Sequence, residues 1–80
     1  MSATMPRLGH EELARRGDGA FTQQIRATLL PEDDGKFVAI DVETGTFEVE
    51  EDDHAAVSRL HRRVPGAQFW LVRAGYPATH

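Results

Sequence analysis

The sequence predicts an α+β domain in the order α-β-β-α-β, with its three strands in one mixed sheet, and three observations carry that expectation. Ala14, Phe21, Ile25 and Leu29 recur at helical spacing. Lys36 to Val42 is apolar on both of its faces, which marks a central strand. After two acidic residues, helical spacing returns in Ala56, Val57, Leu60 and Val64, and the apolar run Phe69 to Val72 follows it.

Length and composition bound the remainder. At 80 residues there is room for one domain, and a domain this small buries a modest fraction of its surface. The chain has no cysteine, which excludes a disulfide framework, a thiolate zinc site and a thiol nucleophile. With 28% charged and 40% hydrophobic residues it has the make-up of a globular domain. No run of about 18 apolar residues is present, and the first residues lack an apolar signal core, so a cytoplasmic protein without a membrane segment is expected. Residues 1–9 are expected to form a disordered tail, and residues 10–80 the single domain.

The first helix carries Leu13 and Thr28 beside its apolar stripe, and Gly17 and Gly19 fall inside it. Each glycine costs a helix interior about 1 kcal/mol relative to alanine, so one bent helix is expected. It should stop before Pro31, because the residue ahead of a proline is pushed out of helical geometry. In the first strand Phe37 and Ala39 face one way, and Val38, Ile40 and Val42 the other. Glu43-Thr44-Gly45-Thr46 supplies a hairpin turn, after which Phe47 and Val49 return facing inward and Glu48 and Glu50 outward. Asp52 or Asp53 caps the second helix and Pro65-Gly66 ends it. The last strand spans Ala67 to Ala74.

Placing that last strand beside the first gives the spatial order 2-1-3, a split βαβ arrangement with the second helix as crossover. Both helices are expected on one face of the sheet, which leaves the other face open to a partner.

Charge is strongly segregated beneath the formal net charge of -4. From Glu32 to Asp53 the acids Glu32, Asp33, Asp34, Asp41, Glu43, Glu48, Glu50, Glu51, Asp52 and Asp53 face the single cation Lys36, whereas after His54 every charged side chain is an arginine. The expectation is that these two segments partly neutralise each other within the fold.

Several motifs suggest chemistry and are better read as structure. Phe37-Val38-Ala39-Ile40-Asp41-Val42-Glu43-Thr44-Gly45 resembles the first motif of the DnaQ-like exonucleases, in which an Asp and a Glu two residues apart hold metal ions. The resemblance covers these residues alone. Two-metal hydrolysis needs further carboxylates, and none follows Asp53. The acidic run Glu48 to Asp53 lacks the alternating ligands and central glycine of a calcium loop. His54 and His61 stand seven apart, too far for the i,i+4 pair that grips zinc. Arg59, Arg62 and Arg63, beside His61, could contact phosphates, but they also suit the negative end of a helix dipole. Arg16-Gly17-Asp18 spells the integrin-binding tripeptide and is read as chance.

A longer resemblance covers most of the chain. Glu11-Glu12-Leu13-Ala14-Arg15-Arg16-Gly17, then Gly35-Lys36 and the hairpin through Gly45, then Leu71-Val72-Arg73-Ala74-Gly75-Tyr76-Pro77 resemble a group of small bacterial proteins of unknown function. Its members share this hairpin, an acidic helix cap and a closing L-x-R-x-G-Y-P. The resemblance implies a small bacterial accessory protein and brings with it no activity, ligand or catalytic residue.

The reading that follows is a non-enzymatic protein-interaction module, adaptor-like or antitoxin-like, that binds a partner or a second copy of itself through the sheet. No cofactor, metal or catalytic residue is expected, nor any nucleic acid or membrane. Partner contacts are assigned to Phe69, Trp70, Leu71, Arg73 and Tyr76, because aromatic and arginine side chains favour interface centres. The alternatives are a divalent-metal binder built on Asp41 and Glu43 like a degenerate nuclease, and a nucleic-acid binder built on the arginines of the second helix.

Overall fold

In the computed structural model, which describes residues 7–75, the strand Phe37–Asp41 (β1) is the middle strand of a three-stranded sheet. Val38, Ala39 and Ile40 are fully buried, as a run apolar on both faces demands. Phe47–Glu50 (β2) flanks it on one side and Phe69–Arg73 (β3) on the other. Val38 stands opposite Val49 and Val72, and Ile40 opposite Phe47 and Trp70, so these six side chains share one face. Ala39 lies between Glu48 and Leu71, and Phe37 between Glu50 and Arg73, on the other face.

The α+β class and the order β2-β1-β3 are as expected, but the sheet is not mixed. Both neighbouring pairs are antiparallel. The helix Asp53–Arg63 (α2) joins β2 to β3, two strands that run parallel to each other with β1 inserted between them. One helix returns the chain to the end of the sheet where β2 began. The strand that follows must therefore oppose β1.

A second correction concerns the helices, which lie on opposite faces of the sheet. His10–Ala20 (α1) continues without a break through a wide π turn, Phe21–Ile25, and a tight 3₁₀ turn, Arg26–Thr28. Phe21, Ile25 and Leu29 pack on Val38 and Ile40. On the opposite face Ala56 and Leu60 of α2, with Val57 and Val64, pack on Ala39, Phe37 and Leu71. A strand apolar on both sides cannot leave either one in water. Two helices on one face would expose Val38 and Ile40 or else Phe37 and Ala39, at roughly 1.5–3 kcal/mol for each large side chain. The open sheet face expected from the sequence is therefore absent.

The glycines do not bend α1 where the sequence suggested. Helical geometry runs through both, and the irregular turn comes afterwards at Phe21. Gly17 is buried because α1 crosses Trp70 there: a Cβ on Gly17 would lie 2.3 Å from the Trp70 Cβ. The indole N–H of Trp70 then donates to Asp18 Oδ1 at 2.9 Å, so the Arg16-Gly17-Asp18 tripeptide is a helix-to-strand clamp. The helical stretch ends at Thr28, with Leu29 and Leu30 extended ahead of Pro31. Asp52 caps α2 by accepting the Ala55 N–H at 3.0 Å, and Gly66 turns the chain away with φ of 80°.

The two glycines of α1 make a matched test. Around Gly19 nothing lies within 4 Å of an added Cβ, so Gly19→Ala should raise unfolding free energy by about 0.5–1 kcal/mol. Gly17→Ala gains the same propensity but drives a methyl into Trp70, an overpacking cost at the upper end of roughly 1–3 kcal/mol. Urea denaturation of the two variants should show opposite signs.

Candidate protein-interaction site

The candidate side chains of β3 divide by face. Trp70 points toward α1, where it is half-buried beneath Gly17, with the His10 ring edge-on at 5.2 Å. Phe69, Leu71 and Arg73 point to the α2 side. Leu71 joins the core under α2, while Phe69 keeps 36% of its surface exposed and meets the edge of His61 at 5.6 Å. The Arg73 guanidinium lies over the Phe37 ring at 5.3 Å, and its Nε donates to the Gly35 carbonyl. Tyr76, the remaining candidate, lies outside the described residues.

What brings these residues together is the outer edge of β3. The Val42 N–H donates to the Gln68 carbonyl and the Ala74 N–H to the Lys36 carbonyl, which fixes the phase of the ladder. Antiparallel pairing alternates inward and outward main-chain groups. Those of Gln68, Trp70, Val72 and Ala74 therefore face β1, and those of Phe69 and Leu71 face away. No other strand lies along that side among the described residues.

Alongside this edge runs an open groove of about 450 Å³. Its floor is Gln68, Phe69, Trp70 and Leu71. Its opposite wall comes from Arg7, Leu8, His10 and Leu13. That wall is held in place by Leu8, whose N–H donates to Oε1 of the buried Gln68 at 2.7 Å. The tail expected over residues 1–9 thus includes residues that build the groove, and residues 1–6 lie outside the described part. Sequence reasoning missed this wall. Its sole signal was the pair Leu8 and Leu13 around an N-capping glycine, Gly9, too short a pattern to stand out.

The hairpin motif has a structural role. Asp41 is fully buried, and its carboxylate accepts the Thr44 hydroxyl at 2.7 Å, the Thr44 N–H at 3.2 Å and the Glu43 N–H at 3.4 Å. Both oxygens are thereby engaged with the turn that Asp41 itself begins, and Gly45 closes that turn with φ of 83°. Glu43 sits exposed at the tip. Among the described residues no three His, Asp or Glu side chains form a group able to hold a metal ion.

The charged segments meet across the α2 face. Glu48 and Glu50 do not face out, as the sequence suggested, but lie under the arginines of α2. Arg59 Nε is 3.1 Å from both Glu48 Oε1 and Glu50 Oε2, and Arg63 reaches Glu48 Oε2 at 2.5 Å. The Glu48 side chain is only 11% exposed. The hydrogen bond from Arg63, seconded by Arg59, holds its carboxyl below the ordinary value of 4.5, against the opposing effect of burial. Two of the arginines that suggested phosphate contacts are thus engaged inside the domain.

No helix of the described residues is long and apolar enough to cross a membrane. Compared with protein-family models, curated proteins and solved structures, the chain finds no match in any of the three.

Two outcomes follow from this geometry. Asp41→Ala removes the buried carboxylate that accepts from the Thr44 hydroxyl and from the Thr44 and Glu43 N–H groups, and it should cost about 1.5–3 kcal/mol of unfolding free energy, read by urea titration. Ionised Glu48 contributes its full stability above pH 4.5, and that contribution is lost as the pH falls through its lower folded value. The stability advantage of the wild type over Glu48→Gln should therefore be largest near neutrality and shrink toward zero in acid, measured by thermal melts of both proteins across a pH series.

Proposed function

We propose that the chain is a non-enzymatic protein-interaction module that engages its partner along the outer edge of β3. The observation that carries this reading is the contrast between the two edges of the sheet. Natural sheets protect their edges with charge, and β2 is guarded by α2, whose Arg63 donates to the Phe47 carbonyl while Arg59 spans Glu48 and Glu50. β3 is charged only at its last residue, Arg73, and its apolar run Phe69 to Val72 borders the groove and leaves Phe69 exposed. An unprotected apolar edge on a small domain is a binding surface or an aggregation hazard.

The partner is another protein or a second copy of this chain, and the role is that of an accessory factor, adaptor-like or antitoxin-like. A bacterial, cytoplasmic setting belongs to the same reading. It is supported by the hairpin and closing motifs, and by a sequence without cysteine that draws no stability from an oxidising compartment.

Phe69→Glu tests this. The side chain is more than a third exposed and lies outside both core clusters, so the variant should stay folded with a modestly lowered thermal midpoint. It should lose self-association in sedimentation across a concentration series, or lose the specific protein that the wild type retains on affinity capture. A wild type that stays monomeric and retains nothing that Phe69→Glu fails to retain would sink the reading.

A further inference from the structure

We propose that the groove beside β3 receives an extended, acidic and apolar segment of a partner protein, which adds to the sheet as a fourth strand. This rests on the assignment of the β3 edge as the binding surface, and it names the kind of partner that surface fits. The outward main-chain groups of Phe69 and Leu71 suit an occupant that offers its own N–H and C=O groups in register. An extended strand does so by β-addition, with alternate side chains entering the groove.

The lining states what those side chains should be. Leu8, Leu13, Trp70 and Leu71 present apolar surface, so aliphatic residues belong at alternate positions. The only formally charged residue of the lining is Arg7, exposed at the wall, with His10 beside it. The nearby Asp18 carboxylate is taken up by the Trp70 indole N–H, so Arg7 is the charged group that faces the groove, and it favours a carboxylate on the occupant. Shape argues for a single strand over a second copy. About 450 Å³ lies in the lower part of the roughly 300–1,000 Å³ range of ligand clefts, room for a few side chains. A second folded domain would have to bring its own sheet and helices past the wall of Arg7 to Leu13.

The experiment uses the full chain and a fluorescent peptide of about eight residues, alternating valine with threonine and carrying two glutamates at one end. Three versions are titrated by anisotropy: the parent, one with lysines for glutamates, and one N-methylated at alternate residues so that it cannot donate to a strand edge. The parent should bind, the lysine version at least about tenfold more weakly, and the N-methylated version not measurably. Arg7→Glu, a change at an exposed position, should reverse the preference for acid over lysine. Equal binding of parent and N-methylated peptides would overturn strand addition, and equal binding of the acidic and lysine versions would overturn the chemistry assigned to the partner. If no peptide binds while the chain forms a dimer sensitive to Phe69→Glu, the edge belongs to a second copy: this inference fails and the interaction module stands. If neither peptide nor protein binds, both fail.

Discussion

The structure depends on the central strand being apolar on both sides. Val38 and Ile40 require cover on one face, Ala39 and Phe37 on the other, and a sheet of three strands is too narrow to supply that cover by folding over itself. One helix before β1 and one after β2 meet the requirement from opposite directions. Each is short, so its position has to be set by specific contacts. For α1 that contact is the approach at Gly17, where the missing side chain lets the helix backbone rest on Trp70 and the Asp18 carboxylate take its indole N–H. For α2 it is the pair of small and large residues Ala56 and Leu60, both fully buried, set against the equally buried Ala39.

Electrostatics then finish what packing begins. The acidic β2 and the arginine-rich α2 lie next to each other in the chain and face to face in the fold, so Glu48 and Glu50 meet Arg59 and Arg63 across a short connection. Exposed ion pairs contribute little individually, because solvent screens them and the side chains must be ordered. Glu48 is the exception in kind, since its side chain is nearly covered and shared between two guanidinium groups. The arrangement also places charge along β2, which leaves the two edges of the sheet chemically unlike.

Much of the fold was legible in the sequence because period and punctuation agreed. The alternation in Phe37 to Val42 marked the central strand, Gly45 the hairpin, Asp52 the cap and Pro31 the stop, each by a local rule with a single outcome. Strand direction and the sides taken by the helices were not local. Whether Phe37 and Ala39 or Val38 and Ile40 meet the first helix is invisible in a pattern that is apolar either way. At the candidate site Phe69, Leu71 and Arg73 share one face of the last strand as period two requires. Trp70, their neighbour, was named as a partner anchor, yet it serves α1 as well as the groove floor, because nothing in Arg16-Gly17-Asp18 announces that a glycine marks a crossing point. Arg7, Leu8 and His10 were invisible for a different reason: their place depends on Gln68, sixty residues away from Leu8.

The size of the domain bears on how such an edge can work. A chain of 80 residues holds only a modest margin over its unfolded state, so a ligand that binds the folded form alone adds to that margin by mass action. A strand added to β3 would make a three-stranded sheet four-stranded, shield Phe69 and engage the outward groups of Leu71, the residue that links the edge to the core under α2. Occupancy of the groove and stability of the domain are then coupled through that one residue. The groove wall has its own anchor just ahead of β3: the Leu8 N–H is tied to Gln68, the buried residue at the start of the floor, so wall and floor are held to each other across sixty residues of chain.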